Sequence, residues 1–281
     1  MLKASALFGR NNKASSSFKN YYNEWFNTLK NSLLPQLRRA MLSSSSPTLL
    51  STHVDTMHHH FQLYYEQLDL SATAAATSSI NTLPQLLFPE WRNSLEKPFL
   101  WLGDLHPYLF TNLLRSFLDD QETSSPQNLE ETVVNRPLFR KFLDDQPWQV
   151  LMAWKSPSKD LTTRVDQIEC GLRLMVPSLV ARARNAQAGF VEHVGFEWRK
   201  CEGRRDQVEV GVGEAMMGEM EELVNVFLDA NRLRKSVLAD ILNSTNVYEA
   251  ALFFEGLAQF LVGFHDQKLL KEFEKCKIAI N

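Results

Sequence analysis

Apolar residues recur at helical spacing over most of this 281-residue chain, and this periodicity is the strongest constraint on its fold. In the longest run, from Leu161 to Val194, an apolar residue returns every three or four positions. Such spacing places the side chains on one face of an α-helix. The one alternating stretch, Val208 to Val212, is too short to form a sheet alone. We therefore predict an all-α fold, a bundle of long antiparallel helices with short accessory helices.

Two prolines fall inside the predicted helices. Pro35 lies within a helix predicted from Phe18 to about Met41, and Pro177 lies within the long run described above. Proline removes a backbone hydrogen bond, and its ring clashes with the preceding helical turn. We therefore expect a kink or an interruption at Pro35 and a bend at Pro177.

The stretch from Trp91 to Phe117 predicts two helices that meet at a tight corner. Gly103 can adopt the left-handed conformation that ends a helix. Pro107 is tolerated in the first turn of a helix and would begin the second one. We expect Trp101 to be buried beside the turn. The residues assigned to this corner are Trp91, Trp101, Gly103 and Pro107.

Polar and low-complexity segments set the expected boundaries of the domain. Residues 1–16 are small and polar, which predicts a flexible N-terminal tail, and residues 17–281 form a single helical domain. Loops are expected near 71–82, which is rich in Ala, Ser and Thr, and near 119–135, which is acidic. A third loop is expected near 199–214, which is charged and contains three glycines.

Composition argues against several classes of protein. A net charge of −3 gives no general attraction to nucleic acid or to an anionic membrane, and we expect no direct nucleic-acid binding. Cys170, Cys201 and Cys276 are far apart and odd in number, which disfavours a structural zinc site and favours a reducing compartment. The N-terminal residues lack the apolar run of a signal peptide. No segment offers the roughly 20 apolar residues of a membrane span.

No motif predicts catalysis. The three consecutive residues His58, His59 and His60 would point about 100° apart on a helix, so they cannot converge on one metal ion. Asp104 and His106 are close enough in sequence to form an acid–base pair, but residues of these types more often cap helix ends. We predict that the chain is not an enzyme and holds no catalytic residue, no cofactor and no metal.

The segment 136–155 leaves two alternatives open. Trp148 and Trp154 could pack onto the core, or they could form an exposed aromatic patch that binds a partner. Large exposed apolar patches are uncommon on monomers, which favours the first alternative.

An ordered set of motifs resembles the plant DOG1 (Delay of Germination) domain, and the resemblance covers nearly the whole chain. The first block contains Phe18-x-x-Tyr21-x-x-x-Trp25, His60 with Tyr64-Tyr65, Trp91-x-x-Ser94-Leu95-Glu96, and Trp101-Leu102-Gly103 with Pro107. The second block contains Ala230-Asn231-Arg232-Leu233-Arg234, Ile241-Leu242 and Glu249-Ala250-Ala251.

Differences from the general family pattern make the chain more similar to one branch of the family than to the others. The usual Trp-Leu-x-Gly-x-Arg-Pro-Ser corner reads Trp-Leu-Gly-Asp-Leu-His-Pro-Tyr from Trp101 to Tyr108. That run, the initial MLKAS and the insert with Trp148 and Trp154 are most similar to the inaperturate-pollen branch of the family. Members of that branch are needed for pollen apertures, the sites where the exine wall is not deposited.

The resemblance implies a non-enzymatic scaffold for other proteins of the aperture-forming machinery. It implies a cytoplasmic protein that is recruited, peripherally or through a partner, to plasma-membrane domains of microspores. A nuclear pool and a homo-oligomer are compatible with it. The alternative is a regulator of seed dormancy or transcription that acts through phosphatase or bZIP partners. The candidate partner surface consists of Asp104, His106, Tyr108, Trp148 and Trp154.

Overall fold

The structure of the chain is a computed structural model that describes residues 12–42, 47–78, 82–119, 146–155, 159–200 and 205–276. These residues confirm the all-α class. The α-helices are α1 (Asn12–Thr28), α2 (Leu34–Leu42), α3 (Pro47–Ser78), α4 (Thr82–Leu87), α5 (Tyr108–Asp119), α6 (Trp148–Lys155), α7 (Lys159–Lys200), α8 (Arg205–Ser244), α9 (Val247–Gly263) and α10 (Gln267–Lys275).

Helix α9 lies at the centre of the core. It contacts α2, α3, α5 and α6, and all residues from Ala250 to Glu255 are buried. A helix that is apolar on nearly all sides is stable only when other elements surround it. A capping box formed by Asn246 and Glu249 fixes its first turn.

None of the described helices alone combines the length and the apolar character needed to cross a membrane. Helices α9 and α10 meet those criteria only as a pair, and that pair is bent by 55°.

The predicted first helix is confirmed, with two changes. It begins at Asn12, so the predicted tail is wrong for residues 12–16, while residues 1–11 lie outside the described ranges. Between α1 and α2, residues Leu29–Leu33 form a π-helical turn instead of a break. Pro35 follows this turn, and a wider turn is one way to accommodate the missing N–H and the ring of a proline.

Two of the predicted loops are largely helical, so those predictions were wrong. Helix α3 continues through residues 71–78, because a run rich in alanine has a high intrinsic helix propensity. In the segment 199–214, α7 ends at Lys200 and α8 begins at Arg205. The helices run antiparallel there, and a Cβ on Gly211 would lie 2.7 Å from the Cγ of Glu197, so the absence of a side chain permits their close approach. Residues 79–81, 120–135 and 201–204 lie outside the described part of the chain.

The predicted corner exists, but a hairpin replaces its first helix. A 3-10 turn (Lys97–Phe99) leads into strand β1 (Leu100–Trp101), which pairs with strand β2 (Asp104–Leu105). Pro98 lacks the backbone N–H that an interior position of an α-helix would use, which favours a short 3-10 turn over a regular α-helix here.

The turn of this hairpin requires left-handed backbone at both central residues. Leu102 has a φ of 45° and Gly103 a φ of 87°, as in the type I′ turns that match the twist of paired strands. Pro107 then directly precedes α5, as predicted, and Trp91 and Trp101 are half-buried. The corner therefore joins a hairpin to a helix.

Substituting alanine for Gly103 should destabilise the protein by about 2–4 kcal/mol. The new Cβ would need left-handed backbone, and it would lie 2.5 Å from Cε2 of Phe227 and 2.6 Å from the carbonyl oxygen of Leu86. Urea unfolding followed by circular dichroism measures the change. Gly189→Ala is the matched control, because its Cβ meets no atom within 4 Å; it should be neutral or stabilising by up to about 1 kcal/mol. Equal effects of the two substitutions would contradict this account of the turn.

Candidate functional site

The hairpin is held in place by a group of buried side chains around Arg92. The Nη2 atom of Arg92 donates to Oδ2 of Asp104 at 2.8 Å and to the hydroxyl of Tyr64 at 2.7 Å. Its Nη1 atom donates to the hydroxyl of Tyr22 at 3.1 Å and to Oε2 of Glu96 at 3.4 Å. We call these five residues the Arg92 cluster. It combines one guanidinium, two carboxylates and two phenols.

The Arg92 cluster connects three separate parts of the fold. Tyr22 comes from α1, Tyr64 from α3 and Asp104 from strand β2. The hydroxyl of Tyr64 also hydrogen-bonds Oδ2 of Asp104, and the guanidinium of Arg92 lies 4.4 Å from the centre of the Tyr22 ring. A buried charge is tolerated only when its hydrogen-bonding capacity is largely satisfied. The cluster therefore fixes the position of the hairpin on the helices.

The protonation of the cluster follows from its burial. Burial raises the pKa of both Tyr22 and Tyr64, so their hydroxyls remain donors near neutral pH. For Arg92, burial alone would lower the pKa, but Tyr64, Tyr22, Asp104 and Glu96 together raise it above its ordinary value. The guanidinium therefore stays positively charged beside the two carboxylates.

Glu96 has a further neighbour where α9 meets α10. The Nε2 atom of His265 lies 2.9 Å from Oε1 of Glu96, although the pair lacks hydrogen-bond geometry. The ring of His265 packs on Phe26 with a centroid separation of 4.0 Å. This contact brings the C-terminal helices to the edge of the Arg92 cluster.

A second buried cation, Arg234 of α8, binds the backbone of the same hairpin. Its Nε atom donates to the carbonyl of Leu105 at 2.8 Å, and its Nη2 atom donates to the carbonyls of Trp101 and, at 3.2 Å, Asp104. Its Nη1 atom donates to Oδ1 of Asn231 at 2.7 Å. Burial lowers the pKa of Arg234, yet an arginine remains protonated in proteins. Arg234 therefore supplies fixed positive charge to the carbonyl oxygens of the hairpin.

Asp104 and His106 do not form an acid–base pair with each other. Asp104 is buried and paired with Arg92, whereas Nδ1 of His106 accepts a hydrogen bond from the backbone N–H of Tyr108 at 3.3 Å. That bond caps the start of α5. His106 therefore has the helix-capping role expected from the sequence, whereas Asp104 does not. Burial, and next to it the charge of Arg234, lowers the pKa of His106. Among the described residues, no group of three or more His, Cys, Asp or Glu is arranged to hold a metal ion.

The structure separates the residues predicted to form a partner surface. Asp104 and Trp154 are buried, at 1% and 2% exposure, so assigning these two side chains to a surface was wrong. Trp154 packs on Phe117 of α5 with a centroid separation of 4.9 Å. His106 and Tyr108 are half-exposed and stack on each other at 5.3 Å. Their role as a partner surface remains a prediction.

Trp148 lies on a different face of α6 from Trp154. It is 65% exposed, and Met152, one turn later, is also exposed. Val150 and Trp154 bury the other face of this short helix. Trp154 is therefore part of the core and Trp148 is accessible, while binding of a partner by Trp148 remains a prediction. Residues 136–145 of this segment lie outside the described ranges.

The sequence reasoning missed the role of Arg92, Glu96, Asn231 and Arg234. A signal was present, because Asn231 and Arg234 stand three residues apart on the helical face of α8 whose other members, such as Phe227, Leu238 and Ile241, are apolar. Polar residues on a buried helical face must find partners there. Their partners lie up to 133 residues away in the chain, so spacing alone could not identify them.

Comparison with known proteins agrees with the resemblance described above. The family model for seed dormancy control, DOG1, matches residues 33–116, which include Tyr64, Arg92, Glu96 and Asp104 of the Arg92 cluster. Protein INAPERTURATE POLLEN1 of Arabidopsis thaliana is 48% identical over 271 residues, which cover 93% of this chain and 94% of the relative. The chain belongs to the Inaperturate Pollen1 family.

A second member of this family extends the comparison to rice. The Inaperturate Pollen 1 homolog of Oryza sativa subsp. japonica is 31% identical over 272 residues, which cover 95% of this chain and 92% of the relative. The names of these relatives and of the matching family model describe pollen and dormancy factors, and none describes an enzyme.

Proposed function

We propose that this chain is a non-enzymatic factor in pollen aperture formation. The observation that carries the proposal is its 48% identity, over nearly its full length, to a protein named for inaperturate pollen. The chemistry of the interior is consistent with this role. The ionisable groups of the Arg92 cluster are buried and bonded to one another, so they stabilise the fold and are not free to act on a substrate.

Complementation tests this proposal. The chain should restore apertures when it is expressed from the native promoter in Arabidopsis plants that lack the Inaperturate Pollen1 relative. Counting apertures on mature grains gives the result. Grains without apertures, in plants where the protein accumulates to the level of the native relative, would contradict the proposal.

Within this role, we infer that the chain is a scaffold that binds other proteins of the aperture-forming machinery. It would be cytoplasmic and recruited, peripherally or through a partner, to the plasma-membrane domains of microspores where exine is not deposited. Exposed Trp148 supports this inference. Helix α6 is anchored by Val150 and Trp154, so it presents Trp148 rigidly, and tryptophans of this kind often dominate the energy of protein interfaces.

Trp148→Ala should reduce the number of apertures restored in the complementation test while leaving helicity unchanged. Losing a tryptophan at the centre of an interface typically costs 2 kcal/mol or more of binding free energy, which is a loss of affinity of roughly thirtyfold. Phe88→Ala is the matched control, because Phe88 is also large, apolar and exposed but lies outside α6. Full restoration by Trp148→Ala at equal protein level would remove Trp148 from the partner surface.

A second candidate function is supported by the family model for seed dormancy control, which matches residues 33–116. On this alternative the chain regulates dormancy or transcription through phosphatase or bZIP partners. The two functions predict different locations in the cell. A signal confined to nuclei would favour the regulator over the aperture factor.

A further inference from the structure

The distal halves of α7 and α8 form an arm that is largely unburied. We define the arm as residues 180–200 of α7 and 205–222 of α8. Beyond Leu179 no residue of α7 is buried, and before Leu223 only Gly211 is buried among the α8 residues whose exposure the structure describes. At 1.5 Å per residue, 21 residues of helix extend about 30 Å. When two such helices pack only against each other, each buries a single strip of its surface, which we call a seam.

Helix α7 carries two apolar seams in the arm. The inner seam faces α8 and is half-buried. The outer seam has the 3-4-3 spacing of helix–helix contacts, and each of its residues is exposed. Val191 is 68% and Trp198 58% exposed, and a Cβ on Gly195 would meet no atom within 4 Å. The inner seam is Ala183, Ala186, Phe190 and Val194; the outer seam is Ala188, Val191, Gly195 and Trp198.

The two seams point in different directions. At 100° per residue, their centres lie roughly 115° apart around the α7 axis. In a four-helix bundle each helix packs against two neighbours, so it needs two apolar seams. Helix α8 has a similar stripe of small and apolar residues at helical spacing, namely Gly213, Met217 and Met220. Of these, Met217 is exposed. The arm thus has the pattern of half a four-helix bundle.

The net charges of the two helices of the arm indicate which partner would complete the four-helix bundle. The α7 part of the arm contains four basic and two acidic residues, a net charge of +2. The α8 part contains one basic and six acidic residues, a net charge of −5. When two arms pair with each α7 beside the α8 of the other copy, all four neighbouring pairs of helices have opposite net charge. The same opposition operates within one arm, where Arg182 pairs with Glu222 at 2.9 Å.

We propose that the arm is a docking surface for a second copy of this chain. The outer seam of α7 in each copy packs against α8 of the other, and a two-fold axis relates the copies. Such an interface is self-complementary, because each contact occurs twice. This inference goes beyond the proposed function, because it rests only on the geometry and charge of the arm.

Light scattering during size-exclusion chromatography of the full chain tests the proposal. The native chain should have twice the 32.3 kDa mass of one copy. Val191→Glu and Trp198→Glu place a carboxylate on the outer seam beside the acidic α8, and each should raise the dissociation constant by about tenfold or more. The matched control is Phe196→Glu. Phe196 is 56% exposed on the same helix, but it lies about 140° away from Val191, so this variant should remain dimeric.

Three outcomes would overturn the proposal. The native chain could run as a monomer at every concentration tested. Phe196→Glu could dissociate the dimer as strongly as Trp198→Glu does. A different protein could occupy the outer seam while the purified chain stays monomeric. Circular dichroism of each variant verifies that the arm remains helical, since all three substitutions replace exposed residues.

Discussion

Replacing Arg234 with methionine should destabilise the protein more than most single substitutions, by about 3–5 kcal/mol. Arg234 is fully buried and donates to the carbonyl oxygens of Trp101, Asp104 and Leu105. Methionine is apolar and unbranched, but it leaves these acceptors without a donor. Each buried, unsatisfied polar group costs about 1–3 kcal/mol. Since domains are typically stable by only 5–15 kcal/mol, this loss would remove a large fraction of the free energy of unfolding.

Urea unfolding of the Arg234→Met variant measures the loss. Arg232→Met is the matched control, because Arg232 lies on the same helix but is largely exposed and forms an ion pair with Asp229. Exposed ion pairs of this kind contribute about 0–1 kcal/mol. Comparable losses in the two variants would show that the bonds from Arg234 to the hairpin do not stabilise the fold.

Arg92→Met should cost a similar amount, about 3–5 kcal/mol, for a different reason. The substitution removes the cation that lies between the carboxylates of Asp104 and Glu96, both of which are buried. A buried carboxylate without a positive partner is strongly unfavourable. The Arg92→Met substitution also removes the guanidinium that donates hydrogen bonds to the hydroxyls of both Tyr22 and Tyr64. The contacts between α1, α3 and the hairpin should therefore loosen together.

A second substitution separates the charge effect from lost packing. Adding Asp104→Asn to Arg92→Met removes one of the two uncompensated carboxylates, so the double variant should lose less than the two single losses added together. Residues in direct contact typically show such coupling, of about 0.5–3 kcal/mol. Arg164→Met is the surface control, because Arg164 is half-exposed and lies 3.5 Å from Asp240. Strict additivity of Arg92→Met and Asp104→Asn would contradict the assigned ion pair.

The helices could be predicted from sequence because their apolar spacing is a local property. The apolar spacing identified α7, whereas the loop predicted near 71–82 underestimated α3, whose alanine-rich end resembles a loop in composition but favours helix. The corner between Trp91 and Phe117 was harder to predict. Apolar residues three or four apart occur in a hairpin preceded by a 3-10 turn as well as in a helix, and Pro98 was the only local sign of the difference.

The buried clusters could not be predicted because they depend on contacts between distant parts of the chain. Arg92 meets Tyr22 across 70 residues, and Arg234 meets Leu105 across 129. Local geometry could have separated the two tryptophans of α6. Six residues on a helix turn through about 600°, so Trp148 and Trp154 point roughly 120° apart and cannot share one exposed face. The composition of that segment alone does not reveal this.

The most direct test of the proposed role is imaging of a fluorescently tagged copy of the chain in tetrad-stage microspores. The account predicts discrete lines or spots at the plasma membrane that coincide with the later gaps in the exine. The tagged protein should also restore apertures in plants that lack the Arabidopsis relative, which shows that the tag leaves it functional. A signal confined to the nucleus in such restored plants, with no enrichment at the plasma membrane, would contradict the account.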